Sequence, residues 1–325
     1  MKIVHLVLSN VYAGIEQHVN ELVLNLEQES KTDVIIICNK EIASKFDSNN
    51  IQVINNFSRR SPIGLIKLLL KIHKIKPDII HTHGSKTTSI INVIKKFLPI
   101  KHVATAHGIK NKTSVYKKAT KLITVSQMVK ESIDASSVVI NNWYPPIVQD
   151  KKSLNNDYVL AVGRLEKVKG FDLLIQSWIN IKDNLIIIGS GKEYDSLINL
   201  ISQHNLDTKI QIIDEMSQED LVNYYKNASM IVISSRSEGG PRVALEALYQ
   251  EIPVISTNVG HMAEILPKEL LAEPDNLESL KDLIETYVGN ENYSQDSIYE
   301  YIKQEFSGIS QSKKILNIYR ELFVS

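Results

Sequence analysis

Short runs rich in β-branched residues alternate with amphipathic stretches along most of this chain of 325 residues. The candidate strands of the first half are Lys2–Leu8, Val34–Cys38, Gln52–Ile54, Ile79–His81, Lys101–Thr105 and Leu122–Val125. Helical stretches such as Glu16–Leu26 and Ile63–Ile75 separate them. Because strand–helix–strand units place their strands in parallel, the alternation predicts parallel sheets covered by helices on both faces.

The alternation lapses over residues 141–156, NNWYPPIVQDKKSLNN, whose prolines and polar residues indicate a linker. A second series of candidate strands follows: Tyr158–Gly163, Leu185–Gly189, Ile210–Asp214, Met230–Ser234 and Val254–Thr257. The sequence therefore predicts two doubly wound α/β domains in tandem, over residues 1–145 and 157–308. Ligands of such sheets bind beyond the carboxyl ends of the strands, so a ligand is expected in a cleft between the domains.

Composition excludes several other classes of protein. The chain is 43% apolar and 23% charged, as soluble globular proteins are. It has no run of about 18 apolar residues that would span a membrane, and MKIVHLVLSN at its start lacks the length and cleavage site of a signal peptide. The single cysteine, Cys38, excludes an internal disulfide and fits a reducing cytoplasm.

The net charge of zero hides an asymmetry between the two halves. Through Pro145 there are 20 lysine and arginine residues against 10 acids, and the remainder has 17 against 27. A basic first domain indicates an anionic partner, such as a membrane surface or a phosphate-bearing acceptor. Oppositely charged domains that attract each other explain the asymmetry equally well. Nucleic acid is disfavoured, because the basic segment lacks interleaved aromatic residues.

The stretch SEGGPRVALEAL, residues 237–248, predicts a phosphate-binding turn followed by a helix. Gly239 and Gly240 let the backbone approach a ligand, and Pro241 suits the first helical position. The start of the helix offers unpaired N–H groups and a partial positive charge. Glu246 lies in an apolar run, so its carboxylate needs hydrogen bonds, which a ribose diol would supply.

A second stretch, YVLAVGRLEKVKGFDLLIQSW, predicts a strand, a loop and a helix over residues 158–178. Arg164 and Lys169 lie on that loop, at the ligand-binding edge of the sheet. Two cations and a helix N-terminus suit a diphosphate, and stabilise it further as it departs; ordinary surface charges are the alternative. Gly189–Gly191 lacks the third glycine of a dinucleotide motif, so it is interpreted as a plain turn.

VGRLEKVKGFDLLI and SSRSEGGPRVALEAL, followed by IPVISTNVGHMAEIL, resemble the signature of retaining GT-B glycosyltransferases of family 4. Glu238 and Glu246 match the E-x7-E motif of that family. PDIIHTHGSK, HVATAHG, KLITVSQMVK and VVINNWY resemble further landmarks in the same order, so the resemblance covers essentially the whole chain. It implies two Rossmann-like domains facing a cleft, with a last helix, about residues 309–325, that completes the first domain.

The resemblance also implies roles for the second domain. Arg164 and Lys169 would grip the donor diphosphate, and catalysis would rest on its stabilisation as a leaving group. Glu238 would hold hydroxyls of the donor sugar, and Glu246 the ribose. Four backbone positions would contact sugar and phosphate: Gly239, Gly240, Val243 and Ala244. The base would lie against Glu215 and Met216.

In the first domain, Gly14 would approach the donor diphosphate, at a place where the family usually has two glycines. His107 would touch the transferred sugar and assist the acceptor. For His83, contact with a substrate and a purely structural role both remain open. Lys86 and Lys110 would receive an anionic acceptor.

The sequence predicts no metal and no cofactor. His81 and His83 are interpreted as pointing to opposite faces of a strand end, which argues against a metal pair. The chain has no D-x-D motif, whereas enzymes that neutralise a diphosphate with a divalent ion usually need closely spaced carboxylates. Arg164, Lys169 and the helix start would take the place of that ion.

Residues 63–76, IGLIKLLLKIHKIK, combine an apolar face with four lysines. An interfacial helix on anionic lipid is one interpretation. We favour the other, a helix packed on its sheet with the lysines outward, although these lysines would still attract an anionic membrane.

Together these expectations predict a cytoplasmic or peripherally membrane-bound retaining glycosyltransferase with a UDP- or GDP-linked sugar donor. Its acceptor would be a saccharide or lipid-linked saccharide, in bacterial surface polysaccharide or glycolipid synthesis. A sugar-nucleotide epimerase of related architecture and a non-catalytic sugar-nucleotide-binding subunit are the alternatives.

Overall fold

The computed structural model describes residues 1–29, 31–109, 113–144, 158–290 and 294–324, without the side chain of Gln218. The chain divides into two compact units, one of Met1–Asn142 with Gly308–Ser325 and one of Trp143–Ser307. The boundaries predicted from the sequence were 145, 157 and 308. Most of the predicted linker, residues 145–156, falls outside the described residues.

The first unit contains a seven-stranded sheet in which every pairing is parallel. Its strands are β1 Lys2–Val7, β2 Asp33–Asn39, β3 Ile51–Ile54, β4 Ile79–His83, β5 Lys101–Ala106, β6 Lys121–Thr124 and β7 Val138–Val139. Its helices are α1 Gly14–Glu27, α2 Lys40–Ala43, α3 Pro62–Ile75, α4 Ser85–Ile94 and α5 Gln127–Glu131. The six predicted strands of this half are confirmed within one or two residues at each end. The short edge strand β7 was missed, because two residues carry no readable periodicity.

The strand order of this sheet is β3-β2-β1-β4-β5-β6-β7. The chain therefore runs outward from β1 to β3 and then crosses back to β4, which makes the gap between β1 and β4 a topological switch point. Strand β1 is buried on both faces, as expected of a central parallel strand. Loops that follow β1 and β4 are consequently where a ligand site is expected in this unit.

The second unit contains a six-stranded parallel sheet. Its strands are β8 Tyr158–Val162, β9 Leu185–Ile188, β10 Ile210–Ile213, β11 Ala228–Ile233, β12 Val254–Thr257 and β13 Leu271–Ala272. Its helices are α6 Phe171–Ser177, α7 Tyr194–Gln203, α8 Gln218–Asn227, α9 Arg242–Tyr249, α10 Met262–Ile265, α11 Leu277–Tyr287 and α12 Asp296–Glu305. The order β10-β9-β8-β11-β12-β13 puts its switch point between β8 and β11.

The last helix, α13 (Gly308–Val324), belongs to the first unit and packs against α1. Ile315, Leu316 and Tyr319 on this helix are buried. The Asn25 amide donates a hydrogen bond of 3.1 Å to the Ser312 hydroxyl across the contact. The chain thus returns to complete the unit in which it began.

Helix α3 differs from the interpretation that we favoured. Leu68 and Ile72 are buried against the sheet, as expected, but Ile63, Ile66 and Leu70 are 68%, 55% and 62% exposed. Packing on the sheet therefore accounts for only part of its apolar residues. Among the described helices, none has both the length and the apolar character needed to cross a membrane.

Candidate functional site

The carboxyl ends of β8 and β11 lie side by side at the switch point of the second sheet. The loop after β8 leads through Lys169 and Gly170 into α6, and the loop after β11 leads into α9. A Cβ atom on Gly170, whose φ is +67°, would lie 2.0 Å from the carbonyl oxygen of Ser234. Only glycine tolerates that approach. The two loops that carry the predicted donor residues are therefore packed directly against each other.

Lys169 and Glu238 form an ion pair between these loops, through Nζ and Oε1. Their side chains are only 20% and 16% exposed. The Ser235 hydroxyl donates a further hydrogen bond of 2.9 Å to the same carboxylate oxygen. Because both charged groups are largely shielded and the carboxylate has a second donor, the pair is held in a defined place. A cation and an acid are thus fixed at the switch point.

Arg164, the second predicted cation, has a different partner. Its side chain is 64% exposed and donates a hydrogen bond of 2.8 Å to the Glu166 carboxylate. Exposed pairs of this kind contribute little stability and are easily exchanged. The structure therefore brings Lys169 into contact with Glu238, while Arg164 lies in a surface pair on the same loop.

Arg236 is a residue of this region that the sequence analysis did not single out. Its guanidinium binds both carboxylate oxygens of Asp172, at 2.7 and 2.8 Å, and also contacts Asp275. It donates another hydrogen bond of 2.7 Å to the Lys167 carbonyl. Two-pronged contacts of this type hold planar groups rigidly. Arg236 consequently ties the loop after β11 to the first turn of α6.

Helix α9 begins at Arg242, so Pro241 occupies the N-cap position and not the first helical position that was predicted. The N–H groups of Val243 and Ala244 lie in the first turn, where no earlier helical carbonyl exists to accept from them. Behind this turn, Gly260 has a φ of +59°, and a Cβ atom there would lie 2.9 Å from the backbone of Gly240. The Gly-Gly turn is therefore supported from behind by a second glycine loop.

Glu246 lies on α9 and is 6% exposed. The Tyr225 hydroxyl, on α8, donates a hydrogen bond of 2.8 Å to its Oε2 atom. Tyr225 is itself 1% exposed, and burial together with the Glu246 charge raises the pKa of this phenol well above its usual value. The phenol consequently remains protonated and can only donate to the carboxylate. Tyr225 thus supplies one of the hydrogen-bond donors that the sequence analysis expected the Glu246 carboxylate to need.

The residues expected near a base lie elsewhere on the same sheet edge. Glu215 is exposed and Met216 partly buried, just after β10, which is two strands away from β8. The Gly189–Gly191 turn packs against the β8 loop, since a Cβ atom on Gly189 would lie 1.9 Å from the Gly163 carbonyl oxygen. Its glycines therefore have a packing reason, in agreement with the interpretation as a plain turn.

The first unit contains a cluster of five histidines: His5 on β1, His81 and His83 on β4, His18 on α1 and His107 just after β5. The interpretation that His81 and His83 point to opposite faces is wrong: their ring centroids are 4.2 Å apart, because side chains two positions apart share a face of a strand. Two groups of three histidines have ligand atoms within 4.8 Å of one another. They are His5 with His81 and His83, and His18 with His83 and His107. The spatial argument against a metal pair is therefore wrong as well.

Several of these histidines contact one another through their ring nitrogens. His83 lies between His5 and His107, with nitrogen–nitrogen distances of 3.1 Å to each. Burial lowers the pKa of His5 to about 3, and burial with the neighbouring histidines lowers the pKa of His83 well below its usual value. Neutral imidazoles each have one donor and one acceptor, so they can form a hydrogen-bonded chain. His107 is the partly exposed end of that chain.

The remaining predicted residues of the first unit have modest contacts. Gly14 begins α1, and a Cβ atom there would meet no other atom within 4 Å, so packing does not require a glycine. The Lys86 ammonium donates to the Leu8 carbonyl at 2.9 Å and to the Asn56 side chain at 3.0 Å. Its contacts are therefore to the end of β1 and a neighbouring loop. Lys110 lies outside the described residues.

Two family models match this chain. The Glycosyltransferase Family 4 model matches residues 12–142, and the Glycosyl transferases group 1 model matches residues 147–305. An uncharacterized glycosyltransferase of Methanocaldococcus jannaschii is 32% identical over 235 residues, which cover 66% of this chain and 66% of that protein. The capsular polysaccharide biosynthesis glycosyltransferase CapM of Staphylococcus aureus is 26% identical over 280 residues, which cover 70% of this chain and 72% of CapM. The match covers 66% of the length of that M. jannaschii protein. It covers 47% and 59% of two further relatives, which are also uncharacterized glycosyltransferases.

The fold is similar to that of Anabaena HepE, solved in complex with UDP and glucose, with a TM-score of 0.85 and 17% identity. This similarity covers 99% of this chain and 100% of HepE. At such an identity it shows the fold alone, and it confirms the GT-B class predicted from the sequence. Since the two family models between them match nearly all of the chain, the protein belongs to the glycosyltransferases of group 1 and family 4.

Proposed function

We propose that this protein is a retaining glycosyltransferase. It transfers a sugar from a nucleotide-diphosphate donor to a hydroxyl of a saccharide or lipid-linked saccharide acceptor. The observation that carries the proposal is the shielded Lys169–Glu238 pair beside the start of α9, at the switch point between β8 and β11. Open α/β sheets bind ligands at such points.

The donor diphosphate is assigned to Lys169 and the first turn of α9. Phosphate suits a helix start, because unpaired N–H groups and the helix dipole both favour negative charge there. As the bond to the sugar breaks, charge grows on the departing diphosphate, and a cation already in place stabilises it without reorganisation. Arg164 adds a second cation when it exchanges Glu166 for the diphosphate. No covalent nucleophile is assigned.

The two glutamates are assigned to hydroxyl groups of the donor. Glu238 accepts from the sugar, and Glu246 accepts from the ribose through an oxygen that Tyr225 holds in position. Carboxylates suit this task, because hydroxyls satisfy a buried charge without neutralising it. His107, the partly exposed end of the histidine chain, is assigned a hydrogen bond to the transferred sugar on the acceptor side.

The class of substrate is supported by what similar proteins are described as doing. CapM is a capsular polysaccharide biosynthesis enzyme, and HepE was solved with UDP and glucose. We therefore propose a UDP- or GDP-linked donor and a role in surface polysaccharide or glycolipid synthesis. We also propose a cytoplasmic location, with which the buried, unpaired Cys38 is compatible.

Nucleotide binding is the first test of the proposal. UDP, GDP, ADP and their sugars are screened by thermal denaturation, and one diphosphate at about 100 times its Kd is expected to raise Tm by about 5–10 °C. Nucleoside monophosphates serve as controls and are expected to shift Tm less, because they lack the group assigned to Lys169. No shift with any diphosphate would contradict the proposal.

Product analysis then separates transfer from its alternatives. Transfer requires an acceptor, whereas an epimerase releases a changed sugar nucleotide from the donor alone. A non-catalytic subunit binds the donor without forming product. The absence of a D-x-D motif leads us to propose that transfer proceeds without a divalent metal, so a chelator is expected to leave the rate unchanged.

Tyr225→Phe is expected to weaken nucleotide binding by about tenfold, because the Glu246 carboxylate loses a donor that fixes it. Isothermal titration with the diphosphate identified by the screen measures this effect. Tyr194→Phe, at an exposed tyrosine that begins α7, is the control and is expected to bind as the wild type does. Equal affinities for the Tyr225 variant and the wild type would show that the phenol does not position Glu246 for the ribose.

A further inference from the structure

Helix α3 presents an aliphatic stripe to solvent. Its members, Ile63, Ile66 and Leu70, are 68%, 55% and 62% exposed. At about 100° per residue these three positions lie within about 60° of one another around the helix. Gly64, Leu68 and Ile72, on the opposite side, are buried. The stripe is therefore apolar surface that packing within its own unit leaves exposed.

Basic residues border this stripe along one side. Lys67 and Lys74 are exposed, and on the helical wheel they lie within about 40° of Ile63, with Lys71 beyond them. Arg59 and Arg60 are exposed just before the helix. From residue 48 to residue 77 the sequence contains no aspartate or glutamate. The surface consequently combines apolar side chains with a segment of positive charge.

We propose that the outward face of α3, defined by Ile63, Ile66, Leu70 and the lysines beside them, binds a membrane surface that contains anionic lipid. A helix lying in the interface buries aliphatic side chains among the acyl chains, while long basic side chains reach the head groups. Negative head groups attract a surface of this charge. The inference goes beyond sugar transfer and uses none of the residues assigned to the donor.

A second copy of the chain fits this face less well. In a two-fold symmetric contact the same patch meets itself, so the basic residues of both copies would lie in one contact. Like charges facing each other disfavour such a contact. An anionic bilayer offers apolar depth and opposite charge together, which is the combination that the face requires.

Vesicle flotation with the full chain tests the inference. The wild type is expected to float with vesicles of phosphatidylcholine and phosphatidylglycerol, and to bind pure phosphatidylcholine about tenfold less. The combined change of Ile63, Ile66 and Leu70 to serine is expected to lower binding to the mixed vesicles at least about tenfold. Changing Lys67, Lys71 and Lys74 to glutamine is expected to remove the preference for anionic lipid.

The matched control replaces Ile179 and Ile198 by serine, because these are exposed isoleucines of the other unit. It is expected to bind vesicles as the wild type does. Undiminished flotation of the triple serine variant would overturn the inference. The inference would also be overturned if the wild type ran as a dimer in gel filtration without vesicles and the triple serine variant ran as a monomer. The face would then be covered by a second copy of the chain. Nucleotide binding by the variants reports separately on the proposed function.

A single substitution covers the case in which the triple variant does not fold. The two native tryptophans, Trp143 and Trp178, are fully buried, so Ile66→Trp adds an exposed reporter. Its fluorescence is expected to shift to shorter wavelength on mixed vesicles and to stay unchanged on neutral ones. No shift on either would also overturn the inference, and Ile179→Trp is the control.

Discussion

Lys169→Ala is expected to lower kcat/KM for sugar transfer by about 10²- to 10³-fold, or about 3–4 kcal/mol of transition-state stabilisation. The reason is that its ammonium is only 20% exposed and is held against Glu238, three residues before the N-cap residue of α9. Because charge on the diphosphate grows as the sugar leaves, most of the loss should appear in kcat. Steady-state kinetics with varied donor measures the two constants separately.

Two further variants give this prediction its controls. Lys167→Ala removes an exposed lysine two positions away and is expected to leave kcat and KM near those of the wild type. Arg164→Ala is expected to have a smaller effect than Lys169→Ala, since its guanidinium lies in an exposed pair. An equal or larger effect at Arg164 would mean that the loop rearranges on donor binding. A Lys169→Ala enzyme with unchanged kcat would remove the central assumption of the proposed mechanism.

Much of the fold was predictable because each strand is marked by a local signal. The runs Ile79–His81 and Leu185–Gly189 are β-branched, short and bounded by turn residues, and both form central parallel strands. The order of strands within each sheet depends on long-range pairing, which local signals do not carry. The two-residue strands β7 and β13 were missed for the same reason, since they are strands only by virtue of their neighbours.

The candidate site was predictable where a motif is contiguous and not where partners are distant. The turn at Gly239 and Gly240 is predicted by one continuous stretch of sequence. The bond from Tyr225 to Glu246 joins residues 21 positions apart on two helices, and nothing local distinguishes Tyr225 from Tyr224. The role of Arg236 likewise depends on the distance to Asp172, 64 positions away.

Two errors have simple physical causes. The faces of His81 and His83 were misassigned, although a spacing of two puts side chains on the same face of a strand. For α3 we favoured packing on the sheet over an exposed apolar face, because hydrophobic periodicity shows only which residues are apolar. The tertiary structure decides which of them are buried. Leu68 and Leu70 are identical in the sequence and opposite in exposure.

The first unit is expected to lose stability steeply in mild acid because of its buried histidines. Burial lowers the pKa of His5 to about 3, against about 6.5 in an unfolded chain. Below pH 6.5 the unfolded state therefore binds a proton at this histidine, whereas the folded state does not. Each pH unit then lowers the free energy of unfolding by about 1.4 kcal/mol per such histidine. At pH 4.5 His5 alone should cost about 3 kcal/mol. His81 and His83, whose pKa values are also lowered, add to that loss.

Urea unfolding of the first unit at several pH values between 7.5 and 4.5 measures this loss as a slope. His5→Phe keeps a ring of similar size but removes one titrating group, so its slope should be smaller than that of the wild type by about one proton, or about 1.4 kcal/mol per pH unit. Tyr319→Phe is the control, because it removes the hydroxyl that contacts His81 and leaves every histidine in place. It should lower stability at all pH values and keep the slope. If His5→Phe keeps the wild-type slope instead, His5 takes up its proton in the folded state, and the chain from His5 through His83 to His107 is not neutral as inferred.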